Sequence, residues 1–364
     1  MSPHAAPLLT GLLEQVSRSF YKTLWVLPRA VRPQISLAYL LARATDTIAD
    51  SELVAVEERL EALRSFRERI AGGGGKLRLG ALAAQQGTPA ERVLLERAEE
   101  ALALLEACEA EDRRRIRTVL EIIVSGQELD LQRFGGASAE RIVALRDDAA
   151  LDDYTYRVAG CVGEFWTELC AAHGLGATGL VSDEDVAESG APAEDCLELA
   201  VRFGKGLQLV NILRDLPVDL RRGRCYLPEE KLRGAGLAPA DLLKPENEPR
   251  FRPLYHSYLD LAHGHLAAGW RYTNLAPRSA RLRLACAWPV LIGARTLALL
   301  RAGKVLDPAQ RIKVPRGEVK AIVRRSLVAL LAPSWWRRLF EKAGGGSSKS
   351  KVQSSREVQD SKPQ

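Results

Sequence analysis

Aromatic residues make up only 6% of this 364-residue chain, and runs alternating β-branched with polar residues are hard to find, which leaves a sandwich or barrel without material. No Gly-x-Gly-x-x-Gly follows a strand-like run, so a dinucleotide-binding βαβ unit is excluded. The cysteines (Cys108, Cys161, Cys170, Cys196, Cys225, Cys286) include no Cys-x-x-Cys and no histidine partners at zinc spacing; they read as free thiols in a reducing compartment. No uninterrupted apolar run reaches the ~18 residues of a bilayer span, so no transmembrane helix is expected. Met1-Ser-Pro-His-Ala-Ala-Pro7 lacks the basic start and apolar stretch of a secretory signal, which predicts a cytoplasmic location. The net charge of +6 is spread along the chain and never interleaved with aromatics, which gives no footing for nucleic acid. An anionic small substrate or an anionic membrane face fits that charge equally well.

What the chain does contain is helix. Leu, Ala, Glu and Arg dominate, and apolar residues recur at three- and four-residue steps over Leu60 to Ile70, Leu94 to Leu105, Ile116 to Val124 and Leu197 to Leu213. This predicts an all-α fold. Ala71-Gly-Gly-Gly-Gly-Lys76 reads as a loop between a helix over 57–70 and another over 89–107, so a single large domain spanning 1–343 is expected. Gly223, Pro228, Pro239, Pro245 and Pro249 mark a looser stretch, and the polar tail 344–364 has too little apolar surface to order itself.

Two aspartate pairs, Asp46-Thr-Ile-Ala-Asp50 and Asp215-Leu-Pro-Val-Asp219, share one spacing. Residues four apart lie on one helix face, so each pair can aim two hard oxygen ligands together, and facing pairs would surround Mg²⁺, which grips phosphate. Arg43 and Arg214 add fixed cations suited to phosphate oxygens. The competing reading is an exposed acidic face with an arginine ion pair. The apolar flanks Ile35-Ser-Leu-Ala-Tyr-Leu-Leu-Ala42 and Gly206-Leu-Gln-Leu-Val-Asn-Ile-Leu213 favour burial, where unpaired carboxylates are costly. A third pair of the same spacing, Asp148 and Asp152, stands beside Asp147 and Asp153 and reads as a solvated cluster. Pro217 removes the N–H that would bond residue 213, so the second motif is expected to kink or loosen at Asp219.

Further blocks accompany the aspartates: Ser17-Arg-Ser-Phe20, Tyr39-Leu-Leu-Ala-Arg43, Tyr154-Thr-Tyr-Arg-Val-Ala-Gly-Cys-Val-Gly163, Gln208-Leu-Val-Asn-Ile-Leu-Arg-Asp215 and Arg224-Cys-Tyr-Leu-Pro228. Together, over roughly residues 12 to 320, they closely resemble the squalene and phytoene synthase family. The resemblance implies an isoprenoid synthase fold, in which two aspartate-bearing helices face each other across a deep apolar cavity. It also implies head-to-head joining of two prenyl diphosphates through a cyclopropyl intermediate. By resemblance Asp46, Asp50, Asp215 and Asp219 bind Mg²⁺, while Ser17, Arg18, Arg43, Gln208, Asn211, Arg214 and Arg224 bind substrate. Tyr154 matches the catalytic tyrosine, with Tyr39 assisting and the Phe20 ring facing the cation. On spacing alone Phe20 reads equally as plain core, both tyrosines read first as core residues with satisfied hydroxyls, and Gly160 and Gly163 read equally as packing glycines.

Ala285-Cys-Ala-Trp-Pro289, Ala294-Arg-Thr-Leu297 and Lys313-Val-Pro-Arg-Gly-Glu318 resemble the squalene synthase branch. That likeness implies two molecules of farnesyl diphosphate as substrate and NADPH as reductant, with Lys313 and Arg316 on its phosphates. A solvated basic turn is the other reading of those two residues. Stopping before reduction, at presqualene diphosphate or with dehydrosqualene or phytoene as product, is the alternative outcome. A non-catalytic helical relative would show eroded aspartates or arginines, and none is eroded here. Arg324 to Phe340 mixes cations with leucines and Trp335-Trp336, the ingredients of either a membrane-surface contact or a terminal helix packed on the core.

Overall fold

The computed structural model describes residues 8–17, 21–175, 195–275, 279–307 and 309–344. Of the polar tail expected over 344–364, Gly344 ends a short helix (Leu339–Gly344) and residues 345–364 lie outside the described residues, as do Arg18 and Phe20. The framework consists of α1 (Arg32–Ala49), α2 (Pro89–Glu96), α3 (Ala110–Phe134), α4 (Asp148–Thr155), α5 (Cys161–Ala172), α6 (Cys196–Arg221), α7 (Glu248–Leu275), α8 (Ala280–Ala302), α9 (Arg316–Ala329) and α10 (Pro333–Arg337).

Periodicity explains why these segments coil. In α3 the buried residues Ile116, Val119, Leu120, Ile123, Val124 and Leu131 recur at helical steps, and the Glu109 side chain caps the start by accepting from the backbone N–H groups of Glu111 and Asp112. In α6, Asp195 caps Leu197 N–H, while Leu199, Leu209, Val210, Ile212, Leu213, Leu216 and Leu220 are buried. α1 packs on α3; α6 packs on α5, α7 and α8, and α7 on α8. A large buried apolar cluster draws residues from Leu8 to Phe340, and a smaller one gathers Cys196, Leu199, Ala200, Ala268, Tyr272 and Cys286. α5 and α6 approach so closely that a Cβ on Gly163 would run into the Ala200 carbonyl, and one on Gly204 into the Ala159 carbonyl. Gly163 is therefore a packing glycine.

Three details depart from the sequence reading. The helix expected over 89–107 is two, with Arg97 (φ −101°, ψ 13°) breaking α2 from a second helix over Ala98–Glu106. The expected looser stretch begins with a strand: β2 (Arg224–Pro228) pairs in parallel with β1 (Val143–Leu145), a pairing too short for alternation to announce. Gly223, at φ +79°, makes the turn into β2, and a Cβ there would strike the backbone of Ser138.

The third concerns Pro217. α6 runs through it to Arg221 as one helix. The Leu213 carbonyl that loses its partner to the proline accepts instead from the buried Tyr255 hydroxyl at 3.0 Å, so the break expected before Asp219 is repaired from α7.

α8 is long and apolar enough to span a bilayer by composition, although Arg281, Arg283 and Arg295 interrupt its apolar run. Here 67% of its most apolar window is buried within the protein, and it packs as a core helix. The C-terminal segment divides. Trp336 is core, stacked on Trp270 at 5.3 Å and donating to Asn274 Oδ1 at 2.7 Å, whereas Trp335 is 61% and Leu331 88% exposed.

Candidate active site

Along α1 and its C-cap, the stripe Tyr39, Ala42, Arg43, Asp46 and Asp50 keeps solvent access, while Leu40, Leu41, Ala44, Thr45, Thr47 and Ile48 are buried. On α6, Gln208, Asn211, Asp215, Asp219 and Arg222 form the matching stripe, as positions three and four apart must. Asp46 exposes 45% of its side chain and Asp215 43%, yet burial heads the causes of the shift at Asp46 and at Asp219.

The carboxylates resist ionising. Burial, then repulsion from Asp50, raises Asp46 to about 6; burial, then Asp215, raises Asp219 to about 7. Burial raises Asp50 as well, against the pull of Arg224, Arg43 and Arg222. Arg224 and Arg222 act on both Asp50 and Asp219, and Tyr154 feels Asp130, Asp219 and Asp46. The two pairs thus open on one space, with Arg224 and Tyr154 between them. They do not converge on a point: among the described residues no three carboxylate, imidazole or thiol groups lie close enough to hold one ion. The four carboxylates expected to bind magnesium are arranged here as two pairs. That arrangement suits Mg²⁺, which takes one or two carboxylates and completes its octahedron with water and phosphate oxygens.

Each arginine is already engaged. Arg43 bridges Asp46 and Glu91, the latter at 2.7 Å, and Arg214 grips Asp215 with two nitrogens, at 2.9 and 2.5 Å. Arg224 is held at the start of β2, with Nη1 3.7 Å from Asp130. Gln208 lies half-buried beside the exposed Asn211, and Tyr39 acts electrostatically on Arg43. The Ser17 hydroxyl is buried and donates to the Leu13 carbonyl at 2.5 Å. Lys313 and Arg316 are both exposed at the start of α9, where Pro315 caps the helix.

Tyr154 is buried, and burial holds its hydroxyl well above the usual phenol range. Its ring stacks on Tyr226 at 4.6 Å, and Tyr226 donates to Asp130 Oδ2 at 3.0 Å. A π-helical turn, Tyr156–Gly160, follows α4 immediately. Sequence reasoning missed Glu91, Asp130 and Tyr226. Thr88-x-x-Glu91 carries the helix-start signature that the structure confirms, but nothing in it points to Arg43.

Asp148 and Asp152 lie elsewhere. Asp148 accepts from Tyr258 at 2.7 Å and pairs with Lys231, and Asp152 pairs with Lys205. They line a separate cleft of about 490 Å³ that contains none of the four site aspartates, Tyr154 or the site arginines.

Residues 13–318 match the model of the family described as squalene/phytoene synthase. A presqualene diphosphate synthase from Zymomonas mobilis is 32% identical over 304 residues, 84% of this chain and 84% of that one. A squalene synthase from Eremothecium gossypii is 26% identical over 86% of this chain and 66% of its own. Among solved structures, the complex of TcSQS with a ligand superimposes with a TM-score of 0.73 at 22% identity, covering 94% of this chain and 90% of that one, a likeness of fold. With the match running through both aspartate motifs, the chain belongs to the squalene/phytoene synthase family of prenyltransferases.

Proposed function

We propose that the protein joins two molecules of farnesyl diphosphate head to head into presqualene diphosphate. The observation that supports this reading is the two carboxylate pairs, each with its own arginine, and the shared electrostatic influence of Arg224 and Tyr154 on them. Asp46, Asp50, Asp215 and Asp219 would hold Mg²⁺, which when bound supplies charge neutralisation to a departing diphosphate. Arg43, Arg214 and Arg224 turn toward phosphate oxygens, with Ser17, Arg18, Gln208 and Asn211 as further substrate contacts. Buried helical walls would exclude water from the allylic cation, an aromatic ring such as Phe20 would stabilise it, and Tyr154, assisted by Tyr39, would handle the proton. Likeness to a presqualene diphosphate synthase at 32% identity supports the condensation step.

Reduction to squalene by NADPH, with Lys313 and Arg316 on its phosphates, is the second reading, and likeness to a squalene synthase favours it. Incubation with farnesyl diphosphate and Mg²⁺, with and without NADPH, tests both. Presqualene diphosphate in both arms is the expected result. Squalene only with NADPH would establish the second reading, and a dehydrosqualene or phytoene product would overturn both.

We further propose a peripheral membrane contact at the exposed apolar residues Leu327, Val328, Leu331 and Trp335, flanked by Arg324, Arg325, Arg337 and Arg338. The hydrocarbon-rich product has little solubility in water and leaves most readily into lipid.

A further inference from the structure

Tyr154 has a chemical difficulty as a proton acceptor. Burial removes its phenolate from reach, so its neutral hydroxyl takes a proton only if it passes its own onward in the same event. The structure supplies somewhere for that proton to go. The Tyr226 ring stacks on Tyr154 at 4.6 Å and 26°, the two hydroxyls act on each other electrostatically, and the Tyr226 hydroxyl donates its proton to Asp130 Oδ2 at 3.0 Å, which leaves its lone pairs to accept from Tyr154. We propose that Tyr154, Tyr226 and Asp130 form a proton relay that takes up the proton released when the cyclopropane ring closes. This rests on the head-to-head reading above.

In the step, a C–H bond of the cationic condensed intermediate breaks and its electron pair forms the last carbon–carbon bond of the ring. The proton moves to Tyr154 Oη, that of Tyr154 to Tyr226 Oη, and that of Tyr226 to Asp130 Oδ2. A cation and a carboxylate become a neutral ring and a neutral acid, and both tyrosines end as they began. Geometry argues against Asp130 being only a clamp for Arg224. A clamp closes with short paired contacts, whereas Arg224 stands 3.7 Å away and Asp130 Oδ1 is buried with no partner. Burial raises Asp130 to about 6, as befits a carboxyl that accepts a proton near neutrality.

The test uses the full chain with farnesyl diphosphate and Mg²⁺, reading pyrophosphate released per presqualene diphosphate formed. Asp130→Asn and Tyr226→Phe are expected to release pyrophosphate within about threefold of the wild-type rate while that ratio rises at least tenfold, the condensed cation being lost to water as a C30 alcohol that keeps its diphosphate. Asp130→Glu is expected to restore coupling in part. If release and condensation fall in proportion, Asp130 only positions Arg224; if both persist, the departed diphosphate takes the proton. Either outcome overturns the relay. Tyr226→Phe, which leaves the Arg224–Asp130 contact in place, decides the matter if Asp130→Asn fails to fold. A wild type that makes no head-to-head product defeats the functional reading instead.

Discussion

A carboxylate at the C-terminal end of a helix faces the negative pole of the macrodipole, and both motifs sit there: Asp50 caps α1, and Asp219 lies in the last turn of α6. Repulsion within each pair adds to that cost, so the site favours a bound cation. For Asp219 the folded-state pKa of about 7 exceeds the ordinary 3.8, so the folded chain keeps a proton that the unfolded chain has lost. The group is neutral in its effect on stability below about pH 4 and increasingly unfavourable up to about pH 7. Asp219→Asn, without divalent cations, is therefore expected to be more stable than wild type at pH 8 by roughly 1–2 kcal/mol after solvent screening, with the two converging near pH 4. Denaturant unfolding across that range checks it, and a variant less stable at pH 8 would contradict it. The aspartates and arginines were legible because their spacing and neighbours are local. Glu91 and Asp130 were not, because they reach Arg43 and Tyr226 across 48 and 96 residues, a separation no periodicity reports.

Elements, in turn, are stiffened where the local rules are broken. Pro217 predicts a loosened helix, and locally that reading is sound; what reverses it is Tyr255, 42 residues beyond Leu213 and on a different helix. Tyr255→Phe is expected to leave the Leu213 carbonyl buried without a partner, to cost about 1–3 kcal/mol in denaturant unfolding, and to lower turnover through the displaced Asp219. Unchanged stability and turnover would show that the helix holds without the bond. Strand β2 was similarly hidden: Arg224–Pro228 is recognisable as a motif block but pairs with β1 from far earlier in the chain, and that pairing is what fixes Arg224 beside both aspartate pairs.

For the molecule as a whole, helical class follows from composition and period, and the helical framework bears it out. The C-terminal segment kept two readings in sequence, and the structure divides its tryptophan pair between them, Trp336 in the core and Trp335 outside. Leu331→Ser with Trp335→Ser leaves the core intact and is expected to lower co-sedimentation with anionic vesicles at least fivefold; undiminished binding would remove the case for that contact. The central claim, that the separate carboxylate pairs act together through Mg²⁺ on a diphosphate, is tested most directly by calorimetric titration with inorganic pyrophosphate. The account predicts binding with Mg²⁺, loss of at least 100-fold in affinity with chelator, and a comparable loss in Asp46→Asn and in Asp215→Asn. Equal affinity with chelator, or wild-type affinity in both variants, would contradict it.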